Sequence, residues 1–117
     1  MSRSNPVQEK SYVLALGIVN LCRLLQSKHE YILSKQLMRS GTSVGANIEE
    51  ALQAQSRRDF IAKLSISHKE AFETNYWLRL LTDAGYISAE EVTPVKDLTR
   101  EVLALLTAIL KKTKQTS

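Results

Sequence analysis

The sequence predicts an all-α protein, an antiparallel up-down-up-down four-helix bundle forming a single domain over residues 1–117, with about 5–112 ordered. Three observations predict it. Apolar residues recur at intervals of three and four along four segments of similar length. The connections between those segments are short and polar, which turns each helix back along the one before it. Only four glycines and two prolines interrupt the chain, and no stretch shows the two-residue alternation of a strand or an internal repeat.

The first helix opens at Asn5-Pro6, an N-cap followed by a proline in the first turn, with Gln8 placed to complete a capping box. Val7, Leu14, Ile18, Leu21 and Leu25 carry its apolar stripe to about Ser27, and Asn20 lies on the flank, either partly exposed or fixing register across helices. Lys28-His29-Glu30 is a polar connection in which His29 reads as a solvated loop residue.

The second helix spans about Glu30 to Ala54, roughly 35 Å at about 1.5 Å per residue. Leu33, Leu37, Val44, Ile48 and Leu52 flank a run of small residues that includes Ser40, Gly41, Ser43, Gly45 and Ala46. Each glycine costs a helix about 1 kcal/mol relative to alanine, so the segment is either broken or packed against a close neighbour. The second reading is adopted. Gly45→Leu is then expected to overpack the seam.

The third helix starts at Ser56-Arg57-Arg58-Asp59, a capping-box variant. Phe60, Leu64, Ser67, Ala71, Thr74, Leu78 and Leu81 hold a 4-3-4-3-4-3 spacing whose small central members are expected to face Gly41 and Gly45. A second stripe of Ile61, His68, Phe72, Tyr76 and Trp77 makes more than one face apolar, so more than one face requires burial, in the fold or against another subunit. Gly85 is placed to end this helix. The fourth begins either at Ser88 of the box Ser88-Ala89-Glu90-Glu91 or at Thr93, with Pro94 in its first turn. Val95, Leu98, Val102, Leu105 and Ile109 follow, and the tail KKTKQTS is expected to fray.

Chemistry is sparse. Cys22 is the sole cysteine, which excludes an intramolecular disulfide or a multi-cysteine zinc site and suits a reducing compartment. Without a membrane-length apolar run or an apolar signal-like N-terminus, the expectation is a bacterial-type cytoplasmic protein. Asn47, Glu49, Glu50, Lys69, Glu70 and Glu73 form the constellation most like a metal or acid-base site. A di-iron bundle would need Glu-x-x-His, and neither His29 nor His68 has that glutamate. Glu70 and Glu73 therefore read as partners of Lys69, Arg39 or Arg57, across helices or subunits, and His68 as a satisfied half-buried residue. The formal charge of +4 with a pI near 9.3 favours an anionic partner. Lys35, Arg39, Arg57, Arg58, Lys111, Lys112 and Lys114 are the nucleic-acid-binding candidates, although a lysine tail like the last three is more often a solvated end than a nucleic-acid contact.

The string SKQLMRSGTSVGANIEEA followed by SRRDFIAKLSISHKEAFETNYWLRLL resembles the bacterial four-helix-bundle proteins encoded by intervening sequences in 23S ribosomal RNA genes. The likeness runs from Asn5-Pro6-Val7-Gln8 to the last helix, with Pro6 and Pro94 as departures. It implies a homopentamer with no catalytic residues and no cofactor. More distant kin, accessory subunits of diversity-generating retroelements, imply a basic surface meeting nucleic acid and a reverse transcriptase. The residues expected at oligomer or helix-helix contacts are Gly41, Gly45, Asn47, Glu70, Glu73, Tyr76 and Trp77. Three functions follow: a nucleic-acid-associated oligomer, a protein-interaction scaffold or accessory subunit for another enzyme, and, least supported, an enzyme. The last has neither a nucleophile-base pair nor a phosphate loop in its favour.

Overall fold

Four helices account for the structure: α1 (Pro6–Ser27), α2 (Ile32–Leu52), α3 (Arg57–Asp83) and α4 (Ala89–Gln115). The computed structural model describes residues 5–115, so Arg3 and the last two residues of the tail lie outside it. Each helix packs on its neighbours in sequence and α4 returns to α1, closing a square bundle. Cross-helix pairs give the directions. Gln8 meets Glu49 and Cys22 meets the Ser34 carbonyl; Glu50 meets Lys63 and Arg39 meets Glu70; Arg57 meets the Thr113 carbonyl and His68 meets Thr107; Lys10 meets Glu101 and Gly17 lies against Val95. Neighbouring helices therefore run antiparallel.

The helix ends follow local chemistry. Asn5 Oδ1 accepts from Gln8 N at 3.1 Å, but the Gln8 side chain crosses to Glu49 at 3.0 Å instead of completing the box. Helix α2 starts two residues later than its sequence pattern predicts because Glu30 acts outside it. The Glu30 carboxylate accepts from the backbone N–H groups of Leu33 and Ser34, at 2.6 and 2.9 Å, doing the work of an N-cap that Tyr31 lacks. Ser56 caps α3 through Asp59 N.

Ser88 opens α4, resolving the alternative at Thr93. Its hydroxyl accepts from Glu91 N at 3.0 Å while its own N–H donates to the Glu91 carboxylate at 2.9 Å. Pro94 lies inside the helix on its exposed face, where the carbonyl that loses its partner, on exposed Glu90, is open to water. Helix α4 also continues to Gln115 rather than fraying at the lysines, because the Arg57 guanidinium donates to the Thr113 carbonyl at 2.5 Å.

The core is made by Leu14, Ile18 and Leu25, Leu37, Val44 and Ile48, Leu64, Leu78 and Leu81, and Val102 and Leu106. Each such side chain contributes about 1.5–3 kcal/mol. The small-residue seam is helical throughout, but it does not meet α3 as expected. A methyl on Gly41 would strike Ile18 at 2.6 Å, and one on Gly45 would lie 3.3 Å from the Ser11 carbonyl oxygen, so both glycines admit α1. Their neighbours serve α3: Ser67 Oγ donates to the Val44 carbonyl at 2.7 Å, and Thr74 Oγ1 lies 3.0 Å from Ser40 Oγ. Successive helical residues are turned by about 100°, so small residues at consecutive positions open two faces, not one.

Candidate functional site

The seven basic residues predicted to meet nucleic acid divide into three groups. Lys35 is exposed near the start of α2 and stands apart from the rest. Arg39 is engaged within the fold: its guanidinium donates to Glu70 at 3.0 Å and to Glu73, and Glu73 also accepts from the Trp77 indole N–H at 3.0 Å. Gln36 completes the cluster at 3.4 Å from Arg39 Nε. With the Glu70 side chain only 12% exposed, this is an intrachain α2–α3 clamp.

The third group is assembled by the Arg57–Thr113 contact. That contact sets the start of α3 beside the end of α4, placing Arg57, Arg58, Lys111, Lys112 and Lys114 at one end of the bundle, all exposed. Among the described residues, Arg58, Lys111 and Lys112 make no ion pair. Lys112 and Lys114 also oppose the negative end of the α4 dipole.

Apolar surface collects on two outer faces. On α3, Phe72 and Tyr76 are 58% and 48% exposed, while Trp77 is half-buried against the core. Edge-to-face contacts join Tyr76 to Trp77 and Phe72 to His68, with ring centroids 5.1 and 5.0 Å apart, and Arg79 covers the Tyr76 ring. His68 is half-buried and bonded to Thr107 at 2.9 Å. On α1, Tyr12, Val13 and Leu16 are exposed by 63%, 50% and 51%. Sequence reasoning missed this second face. Its signal was the set Tyr12, Val13 and Leu16 lying off the stripe of Leu14, Ile18 and Leu21.

The constellation weighed as a metal or acid-base site does not converge. Glu49 binds Gln8, Glu50 binds Lys63, Glu70 and Glu73 bind Arg39, and Lys69 is exposed. Asn47 bonds within its own helix, to the carbonyl and hydroxyl of Ser43, so it makes no helix-helix contact through its amide in the single chain. Among the described residues no cluster of three or more His, Cys, Asp or Glu is placed to hold a metal. Cys22 is fully buried, which pushes its thiol up to about 11. No helix among the described residues is long and apolar enough to cross a membrane.

Comparison with known proteins completes the picture. Among solved structures, the chain is similar to a protein of unknown function from the S23 ribosomal protein family of Bacteroides thetaiotaomicron VPI-5482. The two are 50% identical with a TM-score of 0.87, and the match covers 90% of this chain and 98% of that one. No curated protein matches the chain. Residues 3–108 match the sequence model of the 23S rRNA-intervening sequence proteins, and the chain belongs to that family.

Proposed function

We propose that the protein is a non-enzymatic homo-oligomer that associates with RNA or other nucleic acid through the basic end of its bundle. The observation that carries this reading is the joining of Arg57 and Arg58 to Lys111, Lys112 and Lys114 by the Arg57–Thr113 bond. Separately each group is an ordinary helix terminus. Together they make a concentrated positive field on a chain of net charge +4, which favours phosphate over a neutral partner.

Self-assembly is supported by the two apolar outer faces. Helices α1 and α3 lie on the diagonal of the square, so those faces point in opposite directions. They also sit at the same height: Ser11 packs at Gly45, and Ser67 bonds the adjacent Val44, so Leu16 lies level with Phe72 five residues on. Patches at equal height remove the climb along the helix axes that would wind a helical filament, and a head-to-tail contact between them closes into a ring when each copy is rotated against the next about an axis parallel to the helices. A pentamer is the size favoured by the family resemblance, and five copies of +4 would sum to about +20.

The exposed aromatic face of α3 also favours a second reading, a scaffold or accessory subunit whose partner is another protein such as a reverse transcriptase. Electrophoretic mobility shift with RNA at about 50 mM salt tests the first reading. Salt-dependent retention, lost on charge removal at the basic end, supports it. No shift, together with protein partners in lysate that survive nuclease, favours the second. Sedimentation as a 13.2 kDa monomer would remove the oligomer from both.

A further inference from the structure

We propose that the basic end grips the paired phosphodiester backbone of a nucleic-acid duplex and not an unpaired strand; this rests on the nucleic-acid reading above. Binding an unpaired strand without base readout calls for a positively charged groove that tracks the backbone, together with aromatic rings on which bases stack. In this molecule those features are kept apart. The groove of about 220 Å³ between α1 and α2 has Gly45 in its floor, Tyr12 on one wall and the carboxylate of Glu49 on the other. The groove of about 420 Å³ along α1 at Leu98 carries Glu9, and its one cation, Lys10, is bound to Glu101. Both grooves thus present carboxylates to any strand that enters.

The cations sit instead on the exposed start of α3 and the exposed end of α4. No exposed ring accompanies them within two turns on α3 or α4, where Phe60 is turned into the core. Adjacent helix axes lie about 8–10 Å apart, a separation that suits phosphates facing each other across a duplex groove of about 6–12 Å. Long Lys and Arg side chains at that spacing reach the backbones of both strands without touching base edges. The contact is therefore independent of sequence.

Fluorescence anisotropy with the full chain tests this, using four probes of about 20 nucleotides per strand: two RNA duplexes of unrelated sequence, one DNA duplex and one unpaired RNA. At least one class of duplex is expected to bind about 10-fold or more tightly than the unpaired strand, and the two RNA duplexes to agree within about 2-fold. RNA against DNA then identifies the source of the backbone. The triple variant Arg58→Ala, Lys111→Ala, Lys112→Ala leaves the Arg57–Thr113 bond in place, and its melting temperature checks the fold. It is expected to flatten the slope of log K against log salt by about 2 to 3. Equal or tighter binding of the unpaired strand, or a strong preference for one duplex sequence, would overturn the duplex proposal alone. An unaltered slope would remove the basic end from binding and overturn both this proposal and the nucleic-acid reading through that end. Binding of no probe at about 50 mM salt would overturn the nucleic-acid reading itself, and this proposal with it.

Discussion

Gly41→Ala probes the glycine at which an added methyl is most crowded. On an open helix this change would stabilise the protein by about 1 kcal/mol. Here the new methyl would lie 2.6, 2.8 and 2.9 Å from Cγ1, Cγ2 and Cδ1 of Ile18, a side chain with no exposed surface and no free end to swing aside. Overpacking of that kind costs about 1–3 kcal/mol, so the net expectation is a loss of about 0 to 2 kcal/mol. Gly45→Ala meets the Ser11 carbonyl oxygen at 3.3 Å and the Ser11 hydroxyl at 3.4 Å, a milder crowding, and the two terms leave it within about 1 kcal/mol of wild type. The decisive measurement is a double-mutant cycle with Ile18→Ala, read by urea unfolding at one fixed protein concentration. Ile18→Ala alone is expected to cost about 2–5 kcal/mol. In that background the Gly41 methyl enters vacated space and stabilises, giving a coupling of at least ~1 kcal/mol. Additivity within about 0.5 kcal/mol would refute the claim that Gly41 exists to admit Ile18.

Arg39→Ala is expected to lower stability by about 1 kcal/mol, a modest figure because the guanidinium is about half exposed, while leaving duplex affinity unchanged; urea melts and anisotropy on one preparation check both. His29 holds φ 63° at the end of α1, the position Gly85 fills at φ 86° at the end of α3, so His29→Gly should raise stability by about 0.5–1 kcal/mol in thermal melts. Burial pushes the Cys22 thiol up from its ordinary value of 9.0 to about 11, so its contribution is complete below pH 9 and declines as pH rises from 9 to about 11. Unfolding titrations across that range, and a thiol reagent that labels only the unfolded chain at pH 8, report it. Gly45→Leu is expected to cost at least ~1 kcal/mol, since its first carbon already presses on the Ser11 backbone.

The helices were legible because their signals are local: Asn5, Ser56 and Ser88 cap, Gly85 stops, and the three-four spacing marks the stripes. The Glu70 and Glu73 pairing with Arg39 was legible because residues three apart on one helix share a face. Which neighbour the glycines serve was hidden, since spacing within α2 shows that a face is small but not which helix approaches it. The order of the tail was hidden for the same reason: Lys111–Gln115 has no apolar anchor, and its tether is a guanidinium 56 residues away in sequence. Glu30 capping from outside α2 was missed because the helical pattern was begun at Glu30 itself, and spacing does not show whether a carboxylate sits in the first turn or folds back onto its N–H groups.

The proposed assembly and the proposed duplex contact constrain each other through symmetry. A ring closed by the outer faces of α1 and α3 rotates copies about an axis parallel to the helices, so every basic end emerges on the same side. A two-fold dimer built on either face alone, with its axis across the helices, would send the basic ends in opposite directions. One basic end carries five cations and, at about 0.9 per phosphate neutralised, can produce a salt slope no steeper than about −4.5. A steeper slope for one duplex therefore requires basic ends from more than one chain on the same side, which the ring supplies and that dimer does not. If the slope stays above −4.5 while sedimentation shows a ring, the ends act singly and the shared face has no part in binding.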